Sequence, residues 1–254
     1  MDTPAHRPGT PAWVDVTVDA LEAHGTWRAF LTALFGWSWD QEGDAPSHYA
    51  VARHDGRAVL GLTVDPAAPV ALTTYFATGD AEASLTAALA LGATATTSVL
   101  AVGGLGRMAL LRDPTGAPVG LWEAGTFADF GATGEPGAPG WFDHHSDDPA
   151  TAAAFYASLL GHGVVDTGDP AMSVIADGER WLASFSPSRG PEQGPPAWNP
   201  IYLVDSLERA REAALRAGGS VLLEEMDVPG GSICVVGEPT RRAPLTLLCA
   251  RGPA

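Results

Sequence analysis

The sequence lacks lysine: all 14 basic side chains among its 254 residues are arginine, against 30 acidic ones, so the formal net charge is -16. This absence excludes a phosphate-loop lysine, a Schiff-base lysine and a polybasic membrane patch. An acidic surface also disfavours nucleic acid, whose phosphate backbone is bound by clustered cations. We therefore expect neither nucleic acid nor a membrane as a partner.

Cysteine and long apolar runs are also scarce. The two cysteines, Cys234 and Cys249, lie in apolar strand-like runs, which predicts small buried thiols and not a disulfide. Residues 1–11 contain no apolar core of signal-peptide length, and no later apolar run approaches the length of a membrane span. We expect a soluble cytoplasmic protein, either a monomer or a weak homodimer.

What the chain does contain is a repeat. Residues 139–149 (PGWFDHHSDDP) open in the same way as residues 11–19 (PAWVDVTVD). Both stretches alternate large and polar residues like a strand, and both run into an alanine-rich amphipathic segment that ends at a glycine, Gly36 or Gly161. This pattern predicts a strand followed by a helix, in two copies.

Two further units of the same kind follow. They open at residues 72–77 and 198–205, continue as helices up to Gly92 and Gly218, and close with the matching turns Asp113-Pro114-Thr115 and Glu238-Pro239-Thr240. A turn at Asp55-Gly56 is predicted to join two short strands of the first unit. The glycine-rich segment 123–139 contains little that we expect to pack, and it is predicted to link the two halves.

Four consecutive βαβββ units with a DPTG turn before the last strand resemble the vicinal oxygen chelate superfamily, which includes glyoxalase I, extradiol dioxygenases and bleomycin-resistance proteins. The resemblance covers nearly the whole chain and is closest to duplicated, two-domain actinobacterial members. It implies an α+β fold of four βαβββ modules that form two cup-shaped, glyoxalase-like domains, at residues 1–124 and 139–254, with residues 125–138 as the linker.

The resemblance also implies a divalent metal ion, held by His and Glu side chains at inward strand positions. The matching positions in this chain are Trp13, Gly61, Thr73 and Gly120 in the first half, and Trp141, Ala183, Asn199 and Thr246 in the second. None of these is a residue that binds divalent transition metals well. We therefore expect neither a metal nor another cofactor, and we do not expect the metal-dependent chemistry of glyoxalases and dioxygenases.

Strand alternation predicts which side chains line the cups. If Trp141 points inward, so do Asp143 and His145, while His144 faces the helices as a core residue. Aromatic walls with a few polar groups are typical of small-molecule sites. The predicted substrate-binding residues are Trp141, Tyr75, Thr73, Trp122, Asn199, Trp13 and Asp15.

Asp143 and His145 are the predicted catalytic pair. They lie about 7 Å apart on one strand face, and an imidazole can exchange a proton near neutral pH. His145 would be the general acid/base, with Asp143 orienting it or the substrate. The alternative for Asp143 is that it only anchors a neighbouring strand. His145 has Thr17 as its counterpart in the first half, so the repeat does not require a histidine there.

Two functions remain open. One is a metal-independent enzyme that transforms an aromatic or polyketide-like secondary metabolite by isomerase-, cyclase- or dehydratase-type proton transfer. The other is a protein that sequesters a drug or metabolite, as bleomycin-resistance proteins do. The enzyme is favoured because only one half carries the Asp143 and His145 pair. The residues completing that site come either from the second unit (Thr73, Tyr75, Gly120, Trp122) or from the fourth (Asn199, Ile201, Thr246).

Overall fold

The computed structural model describes residues 7–41, 48–169, 172–188, 194–240 and 242–251. The helices in these ranges are α1 (Leu21–Phe35), α2 (Ala81–Ala90), α3 (Pro149–Leu160) and α4 (Leu207–Arg216). None of the helices in these ranges is both long and apolar enough to span a membrane.

The first half contains the strands β1 (Pro11–Val18), β2 (Ser38–Gln41), β3 (Ala50–His54), β4 (Arg57–Val64), β5 (Ala71–Thr78), β6 (Thr94–Ala95), β7 (Leu100–Val102), β8 (Gly106–Arg112) and β9 (Pro118–Ala124). The second half contains β10 (Pro139–Ser146), β11 (Gly163–Asp166), β12 (Ser173–Asp177), β13 (Arg180–Pro187), β14 (Ala197–Leu203), β15 (Ser220–Val228), β16 (Gly231–Gly237) and β17 (Pro244–Ala250).

The strands form two sheets with the same layout. The first has the order β2-β3-β4-β1-β5-β9-β8-β6, with β7 on β8, and the second has the order β11-β12-β13-β10-β14-β17-β16-β15. In every repeat the first strand pairs in parallel with the last, as β1 does with β4 and β10 with β13. A parallel pair needs a crossover, which each helix provides. This arrangement confirms the predicted α+β fold of four βαβββ modules.

The chain forms two compact units. Unit I comprises residues 1–13, 73–129 and 142–199, and therefore holds nearly all of the second and third repeats. Unit II comprises residues 14–72, 130–141 and 200–254, which carry the first and fourth repeats.

Helix ends follow the local sequence. Asp80, Asp148 and Ser206 each accept a hydrogen bond from the backbone N–H three residues ahead and so cap α2, α3 and α4. Gly36 and Gly161 take the left-handed conformation after α1 and α3, with φ of 73° and 74°. Gly36 and Gly161, which marked helix ends in the sequence, thus act as C-terminal caps, whereas α2 and α4 have Leu91 and Ala217 at that position.

The closing turn of the second repeat carries a buried network in unit I. Asp113 Oδ1 accepts hydrogen bonds from Thr115 N and Oγ1 at 2.8 and 2.7 Å. Its Oδ2 accepts from His144 Nε2 at 2.8 Å and from the Tyr156 hydroxyl at 3.0 Å. Tyr156 Oη in turn accepts from Trp198 Nε1 at 2.8 Å. His144 is completely buried, which confirms its prediction as a core histidine.

Burial and hydrogen bonding have opposite effects on the pKa of Asp113 in this network. Burial tends to raise the pKa of Asp113, but the hydrogen bonds from His144 and Thr115 outweigh it and hold that pKa below its ordinary value. Burial and the nearby Asp113 charge raise the pKa of Tyr156 well above 10.0. Asp113 is therefore a buried carboxylate whose charge depends on its partners.

The expectation that segment 123–139 would pack little is wrong. In unit I the Phe127 ring lies edge-on against Trp13, with 4.9 Å between ring centroids. In unit II Phe130 is 5% exposed, and the Gly137 carbonyl accepts a hydrogen bond from Trp37 Nε1 at 2.8 Å. The two phenylalanines and the compact glycine turns supply packing that the composition of the segment did not reveal. Cys234 is a buried free thiol as predicted, whereas the free thiol Cys249 is half-buried.

Candidate functional site

A group of polar side chains lies around His145 in unit I. It consists of Asp143 and His145 from β10, Ser184 and Ser186 from β13, and Asn199 from β14, and we call it the polar cluster. In the parallel pairing of β10 with β13, Asp143 lies opposite Ser184 and His145 lies opposite Ser186. The register brings these side chains to one face of the sheet, because paired residues point the same way.

The Asp143 carboxylate is bonded to the neighbouring strand. Ser184 Oγ donates to Oδ1 at 2.6 Å, and Ser186 Oγ donates to Oδ2 at 2.8 Å. Asp143 is nevertheless only half-buried. The side chain therefore ties β10 to β13, as the anchoring alternative predicts, and still presents a partly exposed carboxylate.

His145 is 3% exposed, and protein groups bind both of its ring nitrogens. Nε2 lies 3.0 Å from the Pro195 carbonyl oxygen, which can only accept a hydrogen bond. Nδ1 lies 2.8 Å from Asn199 Nδ2, which donates to it. These two contacts select the neutral tautomer that carries its proton on Nε2.

The sequence predicted Asp143, His145 and Asn199 as site residues, but it missed Ser184 and Ser186. Their spacing of two on β13, the last strand of the third repeat, was the available signal. The prediction that Ala183 takes the inward position is wrong: Ser184 lies opposite Asp143 just as Gly61 lies opposite Asp15. Ala183 is completely buried, one residue out of register with Ser184.

Three of the predicted aromatic residues come together in unit I. Trp13 and Trp122 both contact the Phe127 ring, with centroid distances of 4.9 and 6.1 Å. The Tyr75 hydroxyl lies 3.9 Å from the sulfur of Met108. Trp13, Tyr75 and Trp122 are each at most 7% exposed. We call these three residues with Phe127 and Met108 the aromatic cluster.

The remaining predicted residues are placed as follows. Asp15, in unit II, accepts a hydrogen bond from the Tyr49 hydroxyl at 2.8 Å. Thr73 is half-buried in β5, and Trp141 is half-buried in β10, two residues before Asp143. Ile201 and Thr246 lie opposite each other in the β14–β17 pair of unit II.

The glycines at two positions of the family metal site leave no room for a carboxylate ligand. A Cβ atom on Gly61 would lie 2.0 Å from Asp15 Oδ1 and 2.2 Å from the Tyr49 hydroxyl. A Cβ on Gly120 would lie 2.1 Å from Cδ1 of the Tyr75 ring. In each case another side chain fills the space that a glutamate would need.

The second half offers no better donor set. Its matching positions are Ser184 and Asn199 in unit I, which supply a hydroxyl and an amide, and Trp141 and Thr246 in unit II, which supply an indole and a hydroxyl. Across the part of the chain that the structure describes, no three His, Cys, Asp or Glu side chains form a group able to hold a metal ion. The residues present do not fit the family metal ion.

Unit II carries an open groove of about 370 Å³. It runs between the end of α1, at Leu34 and Phe35, and one side of α4, at Arg209, Ala213 and Arg216. None of the residues lining the groove belongs to the polar cluster.

The four repeats and the parallel pairing of their first and last strands are those of a glyoxalase-like protein. Residues 141–240 match the family model described as "Glyoxalase-like domain". The chain is 31% identical to "Putative glyoxylase CFP32" of Mycobacterium tuberculosis, covering 92% of each sequence. It is also 31% identical to "Anthracycline biosynthesis protein DauV" of Streptomyces sp. (strain C5), covering 88% of this chain and 87% of that one. The chain belongs to the glyoxalase-like family of the vicinal oxygen chelate superfamily.

Solved structures agree on the fold. The Mn(II)-bound glyoxalase from Novosphingobium aromaticivorans superposes with a TM-score of 0.67, covering 95% of this chain and 82% of that one. The two sequences are 17% identical, so this likeness concerns the architecture alone.

Proposed function

We propose that this protein is a metal-independent enzyme that transforms an aromatic or polyketide-like secondary metabolite by proton transfer at the polar cluster. His145 is the general acid/base, and Asp143 orients the substrate. The observation that carries the proposal is the environment of His145, a buried imidazole held in one tautomer by Pro195 and Asn199.

The proposed chemistry follows from the hydrogen-bonding state of these groups. Nδ1 carries the only lone pair of the His145 ring, and Asn199 donates a hydrogen bond to it in the ligand-free protein. In the proposed reaction the Asn199 amide moves aside, and Nδ1 then takes a proton from a carbon or oxygen of the substrate. The bonding electrons stay on the substrate, and the same proton returns to another substrate atom. An isomerisation, cyclisation or dehydration of this kind consumes no oxidant. The half-buried Asp143 carboxylate can accept a hydrogen bond from a substrate hydroxyl.

The name of one relative supports the proposed class of substrate. The Streptomyces relative is named for anthracycline biosynthesis, and it matches this chain over most of its length. This supports a role in secondary metabolism. The lack of fit to a metal ion supports chemistry carried out by side chains.

A second candidate is a protein that sequesters a drug or metabolite. It is favoured by one observation: both ring nitrogens of His145 and both oxygens of Asp143 already have protein partners. Side chains that are held by hydrogen bonds in this way can form a rigid polar surface that contacts a ligand without reacting with it. In that case Trp141 would supply most of the ligand contact.

Substitutions distinguish the two candidates. Turnover and dissociation constants are measured against a panel of aromatic polyketides for the native protein, His145→Ala, Asp143→Asn and Trp141→Ala. We expect His145→Ala to lower kcat by about a hundredfold or more, because general acid/base catalysis contributes about that much. Its Kd should change by less than about threefold, since the lost interaction acts mainly in the transition state.

The matched control is Thr17→Ala, which alters the counterpart of His145 in the first half and should leave turnover unchanged. Full activity of both His145→Ala and Asp143→Asn would contradict the assignment. Tight binding without turnover, lost in Trp141→Ala and kept in His145→Ala, would favour the sequestering protein.

A further inference from the structure

We propose that the groove of unit II is a second binding site, which takes a flat aromatic molecule carrying one carboxylate. All of its lining residues belong to unit II, and none of them belongs to the polar cluster. The proposal therefore goes beyond the proposed function and does not depend on it. It rests on the size of the groove, on one half-buried aromatic ring in its lining and on the charge of Arg209.

Small side chains on α4 keep the groove open. The lining residues on this helix are Arg209, Ala210, Ala213 and Arg216, so two alanines lie between two arginines. Positions 209, 213 and 216 share one face of the helix, because side chains three or four positions apart project in the same direction. The arginines are about 10 Å apart along the helix axis. The volume of about 370 Å³ lies within the range of small-molecule sites, roughly 300–1,000 Å³.

The end of α1 supplies an aromatic surface to the groove. Phe35 is half-buried, and its ring stacks on Trp37 with 4.5 Å between the centroids and an interplanar angle of 17°. The Tyr202 ring lies 5.4 Å from the same ring. Trp37 is held in turn by the hydrogen bond from its Nε1 to the Gly137 carbonyl. Phe35 is therefore a firmly supported ring with apolar surface left over, on which a flat ligand can pack.

Arg209 supplies the positive charge. Eight of the arginines that the structure describes form ion pairs with Asp or Glu side chains, and Arg216 is one of them, with Glu212 at 3.2 Å. Within the same described residues, no ion pair or side-chain hydrogen bond involves the Arg209 guanidinium, whereas its backbone N–H donates to Ser206 Oγ. A guanidinium of this kind suits a ligand carboxylate, because its parallel N–H groups match the two carboxylate oxygens.

The balance of charges in the groove favours a ligand with a single negative charge. The lining includes Arg209 and Arg216 but also one acid, Asp205. Glu212 already pairs with Arg216, and the lining residue His54 has an acidic neighbour of its own. The unbalanced positive charge is thus that of Arg209. A polyanion would be repelled by the acids around the groove, and a cation would be repelled by Arg209.

Isothermal titration calorimetry of the full-length protein with naphthoate, and with the uncharged naphthamide, tests the proposal. The native protein should bind naphthoate at a single site with a Kd below about 1 mM. The amide should bind about tenfold or more weakly, because the hydrogen bonds to a charged group are lost. Arg209→Gln should weaken naphthoate binding by a similar factor for the same reason. Ala213→Phe should abolish it by filling the groove.

Two variants control for the loss of an arginine and for added bulk on α4. Arg180→Gln removes an exposed arginine of unit I, and Leu215→Phe enlarges an exposed residue of α4 that is not part of the lining. Both should bind naphthoate like the native protein. Circular dichroism and thermal unfolding check that each variant is folded.

Three results would each overturn the proposal: no saturable binding to the native protein, native affinity in folded Arg209→Gln, or equal affinities for the acid and the amide. His145→Ala should leave naphthoate binding unchanged, so this test and the turnover test of the proposed function fail independently. Loss of binding in His145→Ala, with native affinity in Arg209→Gln, would place naphthoate at the polar cluster and would also overturn the proposal.

Discussion

Replacing Asp113 with alanine should lower the free energy of unfolding by about 3–5 kcal/mol, because two buried donors lose their acceptor and each such loss costs about 1–3 kcal/mol. The substitution leaves the Nε2–H of His144 and the hydroxyl of Tyr156 without their acceptor. It also removes the acceptor that orders the closing turn at Thr115 and Ala117. Urea unfolding monitored by tryptophan fluorescence measures the loss.

Two variants control this experiment. Asp113→Asn keeps an oxygen acceptor and should cost less than alanine. Asp65→Ala removes an exposed turn aspartate that accepts from Ala67 N, and it should change stability by no more than about 0.5 kcal/mol. A loss below about 1 kcal/mol in Asp113→Ala would mean that the buried network does not stabilise unit I.

Low pH should reduce the contribution of Asp113 to the free energy of unfolding. Its pKa in the folded protein lies below the ordinary value of 3.8. A group of this kind stabilises the fold above its unfolded pKa, and the stabilisation is lost as the pH falls through the folded pKa. The difference in stability between the native protein and Asp113→Ala should therefore be full at neutral pH and shrink below about pH 4.

The second large effect concerns Gly120. Alanine at this position should cost about 1–3 kcal/mol, as overpacking of a filled core typically does. The added Cβ would lie 2.1 Å from a ring carbon of Tyr75, which is 5% exposed within the aromatic cluster. Chemical denaturation of the purified variants measures the cost.

A double-mutant cycle identifies the cause. The cost of Gly120→Ala should fall markedly in a Tyr75→Ala background, because the ring that the methyl group meets is gone. Gly79→Ala is the matched control, since a Cβ there meets nothing within 4 Å. Additive losses in the cycle would show that Tyr75 does not fill the space beside Gly120.

The repeated sequence was sufficient to predict the architecture because each unit carries its own turn and helix-ending residues. Gly36 and Gly161 ended their helices as expected. The Asp55-Gly56 turn joins β3 and β4, with φ of 48° and 76°. Strands β11 and β15 lie at a sheet edge, where burial imposes less alternation on a sequence, and the pattern did not reveal them.

The candidate site was predictable only along a single strand. Alternation in β10 places Asp143 and His145 on one face and His144 on the other. The hydroxyl groups of Ser184 and Ser186 reach Asp143 through strand register, and periodicity within β10 carries no information about register. The contact between Asn199 and His145 likewise joins residues 54 positions apart. The packing of Phe127 on Trp13 was hidden because a loop phenylalanine has no periodic pattern around it.

The central claim is that this chain keeps the glyoxalase-like fold and replaces the metal ion with side-chain chemistry. Elemental analysis of tag-free protein, purified without chelators, tests it most directly when combined with an activity assay before and after chelation. We expect less than about 0.1 equivalent of zinc, iron, nickel or manganese, because the ligand positions carry side chains that bind these ions poorly. Activity on the panel substrate should be unchanged by chelation. Near one equivalent of one of these metals, lost on chelation together with activity, would contradict the account.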